Sequence, residues 1–290
     1  MRVYKQGHKN VTFRVIISLI LIAIVGATGY GCNAFISSQT DILNKKVSDA
    51  YKSELANVIA YKEARKNIPV YITLPGATKI RALVDDYTKT DSIWAIVSKT
   101  HPISVNYTPT PLIIPNVLTR TDKSVAERSV RSDIAKPMAK LFAGASKAGY
   151  QLMIGSGYRS AALQKIYFDS LASSVGTVAA NNAIAFPGQS EHQTGLAADI
   201  STVSQNCYLS DCFGATPDGM WLVNNAYKYG FILRYPLGKE SITGYQYEPW
   251  HFRYVGIDLA TALHQSGLTL DQAWPYLMKA DATLKKNGAI

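Results

Sequence analysis

The chain has 290 residues, 47% of them hydrophobic and 17% charged, so its composition excludes a largely disordered chain. Its length allows one sizeable domain with an appendage or two small domains. Lysine and arginine exceed aspartate and glutamate by 30 to 20, but no basic patch with interleaved aromatic residues stands out, which argues against a nucleic-acid-binding protein. Four of the cations lie within the first fourteen residues, at Arg2, Lys5, Lys9 and Arg14.

The N-terminal segment has the pattern of an export signal or a membrane anchor. The basic residues 1–14 precede an apolar run at residues 15–27, which weakens towards Ile36. Counted to Ile36, the segment is about long enough to span a bilayer. The basic residues before it predict a single-pass membrane protein with the N-terminus inside and the rest outside. A secreted protein, cleaved at the Ala-Thr-Gly sequence of residues 27–29, is the main alternative, and a lipid anchor at Cys32 is another.

A helical stalk is predicted between this segment and the main domain. Residues 37–66 are polar, and their apolar residues recur at roughly helical spacing. The following stretch contains IPVYITLPG, which we interpret as a short hairpin. We therefore assign residues 1–36 to a cytoplasmic head and membrane anchor, residues 37–90 to a stalk and linker, and residues 91–290 to one compact domain.

Predicted helices and strands alternate along the compact domain. A proline-rich stretch at residues 100–116 forbids regular helix and is interpreted as an extended wrap over the surface. The predicted elements that follow are a helix at 133–147, a strand at 150–154, a turn at 155–160, a helix at 161–171, a strand at 195–201, a helix at 220–229, a strand at 251–255 and two C-terminal helices. The second of these helices opens with a capping box of Thr269 and Gln272. This order indicates a small α+β domain.

The sequence SEHQTGLAAD contains two side chains that suit a zinc ion. His192 offers an imidazole nitrogen and Asp199 a carboxylate oxygen. Gly195 between them permits a tight turn, so a turn followed by a strand could bring both side chains to one point. Taken alone, the spacing fits a surface histidine and an unrelated aspartate better than a metal site.

The sequence EPWH offers a general base beside a third ligand. Glu248 and His251 would point to opposite faces of a flat strand, but Pro249 favours a bend before the strand. That bend could bring the carboxylate beside a metal bound by His251. A catalytic zinc needs three protein ligands and one open position, and His192, Asp199 and His251 make three. Glu248 is then free to act as the base. Alone, the segment fits a surface carboxylate and a core histidine better.

A third segment, IGSGYRS, places Arg159 on a glycine-rich turn before a helix. A fixed guanidinium suits a substrate carboxylate or a developing oxyanion. Gln164, one turn into the helix, could add an amide contact. In isolation, an ordinary surface arginine is the favoured interpretation of this segment.

Two cysteines lie in a polar stretch beyond these motifs. Cys207 and Cys212 are separated by four residues, and outside the cytoplasm such a pair can oxidise to a disulfide. A metal-binding role for two lone cysteines is the less favoured interpretation. Because the pair lies outside the ligand motifs, we expect the bridge to be dispensable for chemistry.

Together, the three motifs match one family in order and in kind. SGYRS followed by Gln164, then S-x-H-x-x-G-x-A-x-D, then E-P-W-H resembles the VanY-type D-alanyl-D-alanine carboxypeptidases, which belong to a wider group of zinc peptidases with the lysostaphin-like and D-Ala-D-Ala-dipeptidase enzymes. The resemblance runs from about residue 93 to residue 263 and leaves the stalk uncovered. It implies a small zinc-peptidase domain with a central antiparallel sheet flanked by helices.

The resemblance also implies a role for each site residue. His192, Asp199 and His251 would bind Zn²⁺, and Glu248 would deprotonate the zinc-bound water and later protonate the leaving amine. Arg159 would hold the terminal carboxylate of the substrate or stabilise the oxyanion. Two further residues, Ser190 and Gln164, would help to bind substrate, and Trp250 would either wall the pocket or belong to the core.

The implied activity is removal of the terminal D-alanine from peptidoglycan stem peptides. Two other peptidases on the same scaffold stay open, because the motifs specify the chemistry and not the peptide. An L,D-carboxypeptidase would remove D-alanine from a tetrapeptide, and an endopeptidase would cut inside the stem or the bridge. A peptidoglycan-binding module with a dead site is less favoured, since the base and all three ligands are present.

Overall fold

The computed structural model describes residues 33–290. The predicted membrane anchor at residues 1–36 lies almost wholly outside this range. The alternative cleavage site and Cys32 lie wholly outside it. Among the helices of residues 33–290, none is long and apolar enough to cross a membrane. The described chain divides into two compact units, residues 33–68 and residues 69–290.

The first unit is one long helix, α1 (Asn33–Lys66), of 34 residues. It contains neither glycine nor proline, and Arg65 and Lys66 in its last turn complement the negative end of the helix dipole. Lys66 also forms an ion pair with Glu63, three residues earlier. This helix coincides with the helical part of the predicted stalk.

The second unit contains all the strands of the described chain. Its regular elements in chain order are β1 (Tyr71–Ile72), β2 (Ile80–Arg81), β3 (Leu112–Ile113), β4 (Val130–Arg131), α2 (Ser132–Lys147), β5 (Leu152–Ser156), α3 (Ala161–Val175), α4 (Thr177–Ala183), β6 (Ala197–Thr202), α5 (Pro217–Asn225), β7 (Phe231–Leu233), α6 (Glu240–Thr243), β8 (His251–Tyr254), α7 (Ile257–Ser266) and α8 (Leu270–Asn287). Short 3₁₀ helices cover Glu191–Thr194, Asp211–Ala215 and Ala226–Tyr229.

The compact unit begins at Pro69, so residues 69–90 belong to it and not to a linker as predicted. The strands β1 and β2 form the expected hairpin. Its apolar side chains, including Ile72, Leu74 and Ile80, are buried in one cluster with Leu259 of α7 and Leu277 of α8. The hairpin therefore covers the C-terminal helices and removes their apolar faces from water.

A four-stranded antiparallel sheet with the order β5-β6-β8-β7 forms the centre of the unit. One face of the sheet contributes Ile154, Ile200 and Phe252 to the main core, where α2 packs with Met138 and Leu141. Because side chains alternate along a strand, the neighbouring residues of the same strands point to the other face. The prediction of an α+β fold with a central antiparallel sheet flanked by helices is confirmed.

The predicted helices and strands of the domain are present, but the structure adds elements that were not predicted: β3, β4, α4, β7, α6 and the 3₁₀ helices Glu191–Thr194 and Asp211–Ala215. Strand β7 was not predicted, because its three residues follow directly on a helix and are too few to show a period. The helix predicted at 220–229 is α5 followed by the 3₁₀ helix Ala226–Tyr229. The capping box at the start of α8 is present, with the Thr269 and Gln272 side chains each accepting from the other's backbone N–H.

Candidate functional site

The three predicted ligands meet on the face of the sheet opposite the main core. His192 lies on the 3₁₀ helix Glu191–Thr194, Asp199 on β6 and His251 on β8, where it pairs directly with Asp199 in the sheet register. One potential ligand atom from each residue lies within 4.8 Å of the others, and all three residues are buried. Gly195 has φ +67°, and this left-handed residue turns the chain from the 3₁₀ helix into β6.

Each histidine turns a defined nitrogen towards Asp199. His192 Nε2 lies 3.3 Å from Asp199 Oδ1, and His251 Nδ1 lies 3.4 Å from the same oxygen. The other nitrogen of His192, Nδ1, donates to the carbonyl oxygen of Gly157 at 2.7 Å. A carbonyl can only accept, so this bond leaves the lone pair of Nε2 facing the cluster.

The electrostatics of the cluster favour a cation at its centre. Burial lowers the pKa of His192, which keeps the ring neutral and able to bind a metal. Burial also acts to lower the pKa of His251, but the nearby Asp199 and Glu191 carboxylates outweigh it and raise this pKa to about 9. Asp199 Oδ1 is buried and has no hydrogen-bond partner in the described part of the chain.

Glu248 stands beside the ligand cluster, as the predicted bend requires. A turn at Glu248–His251 places its Oε2 atom 3.7 Å from His251 Nδ1, and the backbone N–H of His251 donates to the Glu248 carbonyl. Burial raises the pKa of Glu248 to about 7. A carboxyl group with this pKa can take up and return a proton near neutral pH.

Arg159 is held in place by its surroundings and keeps one donor unused. Its Nη1 donates to Gln164 Oε1 at 3.1 Å, its Nη2 donates to Ser156 Oγ at 3.0 Å, and the Tyr167 ring lies 5.0 Å from the guanidinium carbon. Its Nη2 also lies 3.8 Å from Asp199 Oδ2, which links it to the metal cluster. Arg159 Nε is buried without a hydrogen-bond partner among residues 33–290. A carboxylate or carbonyl oxygen of a ligand could satisfy this donor.

A cavity of about 360 Å³ connects these groups. All the predicted metal-binding, catalytic and substrate-binding residues line it: Arg159, Gln164, Ser190, His192, Asp199, Glu248, Trp250 and His251. Trp250 has both of the roles left open by the sequence, because it lines the cavity and also belongs to the main core cluster.

No role was predicted for Glu191, which is fully buried beside His251. Its Oε1 atom accepts from Arg234 Nε and from Arg253 Nη1, both at 2.8 Å. Its Oε2 atom lies 3.4 Å from His251 Nε2. Arg253, next to Phe252 in a predicted strand, was a signal that a buried acidic partner existed, but not which one.

The disulfide loop was also not expected at the site. Cys207 and Cys212 are joined by a disulfide, with Cα atoms 5.5 Å apart, and the loop they close carries Tyr208 and Leu209 into the lining of the cavity. A Cβ atom at Gly155 would come within 2.6 Å of the Tyr208 ring, so this ring packs directly on the backbone of β5. The loop lies outside the ligand motifs in sequence, but it lines the same cavity as the ligands. Its distance in sequence is therefore no reason to expect that the bridge is dispensable.

The sequence family described as VanY, D-alanyl-D-alanine carboxypeptidase, matches residues 127–257. The carboxypeptidase-like protein YodJ of Bacillus subtilis is 45% identical over 189 residues, which are 65% of this chain and 69% of YodJ. The solved structure of the LD-carboxypeptidase LdcB is also similar, with 45% sequence identity and a TM-score of 0.61. The match covers 64% of this chain and 87% of LdcB.

A zinc-containing structure is also similar. It is a mutant of the vancomycin-resistance D,D-pentapeptidase VanY in complex with Zn(II), with 31% identity, a TM-score of 0.52, and coverage of 63% of this chain and 98% of that protein. The fold and the buried cluster define a peptide hydrolase. The chain belongs to the VanY-type D-alanyl-D-alanine carboxypeptidase family.

Proposed function

We propose that this protein is a zinc-dependent carboxypeptidase that removes the terminal D-alanine from peptidoglycan stem peptides outside the cytoplasm. The observation that carries the proposal is the joining of a buried His-Asp-His cluster, a carboxyl group with a raised pKa and an arginine with an unused donor in one cavity. Each group has a separate task in peptide hydrolysis.

The donor set fits zinc. Two imidazole nitrogens and one carboxylate oxygen form a set of three ligands that leaves a position open, which is typical of catalytic zinc sites. The buried Asp199 Oδ1 atom lacks a hydrogen-bond partner within residues 33–290, and a bound cation would satisfy it. When bound, zinc supplies a positive charge that polarises a carbonyl group and makes water more acidic.

Glu248 moves the protons of the reaction. Its carboxylate takes a proton from the attacking water and passes it to the nitrogen of the leaving D-alanine, so the same oxygen acts first as base and then as acid. Its burial raises its pKa to about 7, which makes both transfers accessible near neutral pH. Its Oε2 atom lies 3.7 Å from His251 Nδ1, so the base stands beside the proposed metal ligands.

Arg159 binds the terminal carboxylate of the substrate or the oxyanion. Its guanidinium group lines the cavity and can donate to the terminal carboxylate of the peptide or to the oxyanion that forms on the scissile carbonyl. Gln164 fixes the guanidinium through Nη1 and itself donates to the carbonyl oxygen of Ala185. Ser190 contributes a hydroxyl at the cavity wall, and Trp250 closes the wall beside Glu248.

An L,D-carboxypeptidase activity is the second candidate, and the similarity to LdcB favours it. Both activities release one D-alanine and need the same metal, base and arginine. They differ in the residue that precedes the scissile bond, which is a D-alanine in a pentapeptide and an L-centre in a tetrapeptide.

Digestion of defined muropeptides tests the proposal and separates the candidates. The purified, zinc-loaded protein is incubated with tripeptide, tetrapeptide and pentapeptide muropeptides, and the products are identified by mass. A pentapeptide that loses one alanine supports the D,D activity, whereas a tetrapeptide that loses one supports the L,D activity. Release of internal fragments would identify an endopeptidase, and no product from any substrate would contradict a peptidase role.

We further propose that residues 1–36 anchor the protein in the cell membrane with the catalytic unit outside. The basic head and the apolar run support this orientation. N-terminal sequencing of the protein from its native host tests it. An intact N-terminus is expected, and a mature chain that begins near Tyr30 would identify a cleaved signal peptide instead.

A further inference from the structure

We propose that Glu191 is a positioning residue that orients His251 for metal binding. The inference rests on the proposed zinc site and goes beyond it, because Glu191 is not one of the three proposed zinc ligands. It acts through the far nitrogen of His251. The ring has Nδ1 turned to Asp199 and Nε2 turned to Glu191, at 3.4 Å in each case.

The Glu191 carboxylate has a fixed position. Its Oε1 atom accepts from both Arg234 and Arg253 at 2.8 Å, and the side chains of all three residues are fully buried. Arg234 is held in turn by Asp271 on α8, and Arg253 by the backbone carbonyl oxygens of residues 93 and 95. The carboxylate therefore cannot rotate without breaking several buried charged contacts.

The remaining oxygen of the Glu191 carboxylate faces His251. Glu191 Oε2 and His251 Nε2 are both buried, and neither has a hydrogen-bond partner elsewhere in the described chain. A carboxylate oxygen can only accept, so it favours the ring form that carries its proton on Nε2. The lone pair of Nδ1 then faces Asp199 and the metal position. Carboxylate partners of this kind commonly fix the ring orientation of metal-binding histidines.

The local charges support this arrangement. Two carboxylates, Glu191 and Asp271, form ion pairs with two guanidinium groups, Arg234 and Arg253, so this charge cluster has no net charge. His251 is not needed as a cation to neutralise Glu191. A cation bound at Nδ1 would replace the proton there, and the Nε2 atom would still donate to the ionised carboxylate.

The two metal-binding histidines are consequently oriented in different ways. His192 donates from Nδ1 to a neutral backbone carbonyl, that of Gly157, whereas His251 faces a buried carboxylate. A side-chain substitution cannot remove the partner of His192, but it can remove the partner of His251. The structure therefore predicts that zinc affinity is sensitive to Glu191.

Substitution of Glu191 by glutamine is the sharpest change. The amide oxygen of the glutamine accepts from Arg234 and Arg253, as Oε1 of Glu191 does, so the amide NH₂ group faces His251 Nε2. A donor at that place favours the ring form with the proton on Nδ1, where the metal should bind. We expect Glu191→Gln to weaken zinc binding 10- to 100-fold, the usual effect of removing an outer partner of a metal ligand.

Asp271→Asn is the matched control. It disturbs the same buried charge cluster from its other end, through Arg234, whereas the carboxylates paired with His251 in the described chain are those of Glu191, Asp199 and Glu248. Zinc affinity is measured for the full chain by competition with a chelator, and thermal unfolding of each metal-free variant reports its folding. The absorption spectrum of the Co²⁺-loaded proteins reports ligand geometry, and we expect a change for Glu191→Gln and none for Asp271→Asn.

Glu191→Asp keeps the inference testable if Glu191→Gln does not fold. It retains the charge that the arginines need but withdraws the carboxylate from His251 by about one methylene, so zinc affinity should again fall. Wild-type zinc affinity in the Glu191 variants, or an equal loss in Asp271→Asn, would overturn the positioning role. If the wild-type protein itself bound no zinc or released no alanine, the proposed function would fail instead.

Discussion

Two parts of one cavity are built in different ways. The metal cluster lies on paired strands and a 3₁₀ helix, and its residues are buried and bonded to fixed partners. The disulfide loop has no regular structure around Tyr208, and Leu209 within it is 41% exposed. Two of its residues, Cys207 and Leu209, have positive φ angles although they are not glycine, and so does Gln205 just before the loop.

The difference indicates a division of work. Residues on paired strands keep their positions because the sheet register and the core fix the backbone, as catalysis requires. Residues in a loop with unfavourable backbone angles keep their positions only while the surroundings hold them. We infer that the strands carry the chemistry and that the loop shapes the fit of the peptide. Substitutions in the two parts should therefore differ in kind as well as in size.

The largest expected effect is the loss of a metal ligand. His251→Ala removes one of three ligands and should abolish both zinc binding and D-alanine release. His101→Ala is a suitable control, because His101 is exposed and does not line the cavity. Zinc content per chain and alanine release are measured for both variants. Full zinc content in His251→Ala would show that the cluster is not the metal site.

A loss of the base should separate binding from turnover. Glu248→Gln keeps the size of the side chain but removes the group that accepts the proton. We expect turnover to fall by roughly a hundredfold or more, the usual scale for general acid–base catalysis. Zinc content should stay at the wild-type level, because no ligand is changed. Full activity of this variant would contradict the proposed role of Glu248, and loss of zinc would make it a ligand.

A smaller effect is expected where the peptide end is recognised. Arg159→Lys keeps the charge but loses the planar fork that Gln164 and Ser156 hold. Hydrogen bonds to charged groups contribute about 1.5–3 kcal/mol, so kcat/KM on peptides with a free carboxylate should fall at least tenfold. Peptides amidated at the last residue should already react slowly and should lose little more. Equal wild-type rates on free and amidated peptides would contradict recognition of the carboxylate and favour an endopeptidase.

The same two parts differ in how far the sequence could predict them. Two short motifs contain the ligands and the base. One turn brings His192 to Asp199, and one bend brings Glu248 to His251, so each pair could be predicted from local sequence. Glu191 depends on Arg234, which is 43 residues away, and on Arg253, which is 62 residues away. Contacts at such separations follow from the sheet order and not from a local pattern.

The hairpin at residues 69–90 and the disulfide loop illustrate the same limit. The hairpin was recognised from its local sequence, but its place in the compact unit depends on packing against α7 and α8 near the C-terminus. The spacing of Cys207 and Cys212 suggested their bond. The location of Tyr208 over Gly155 could not be inferred, because a loop without regular structure gives no direction to its side chains.

The smallest expected effect concerns the disulfide loop. Replacing both Cys207 and Cys212 by serine removes a bridge whose contribution to stability is roughly 2 kcal/mol at most, since the closed loop is short. The backbone angles at Gln205 and Leu209 can then relax, and Tyr208 loses part of its support over Gly155. We expect KM for the stem peptide to rise roughly fivefold, which corresponds to about 1 kcal/mol, while zinc content and kcat stay close to wild type.

Reduction of the wild-type protein with a phosphine, which spares the zinc, should reproduce the increase in KM and should leave the double serine variant unaffected. Tyr208→Ala, in which the bridge is intact, shows whether the ring or the bridge is responsible. It should raise KM to a similar extent, because the ring is the part of the loop that packs against β5 and lines the cavity. An unchanged KM in all three experiments would mean that the loop lines the cavity without touching the peptide. A fall in kcat with loss of zinc would instead place the loop with the metal cluster and remove the division between the two parts.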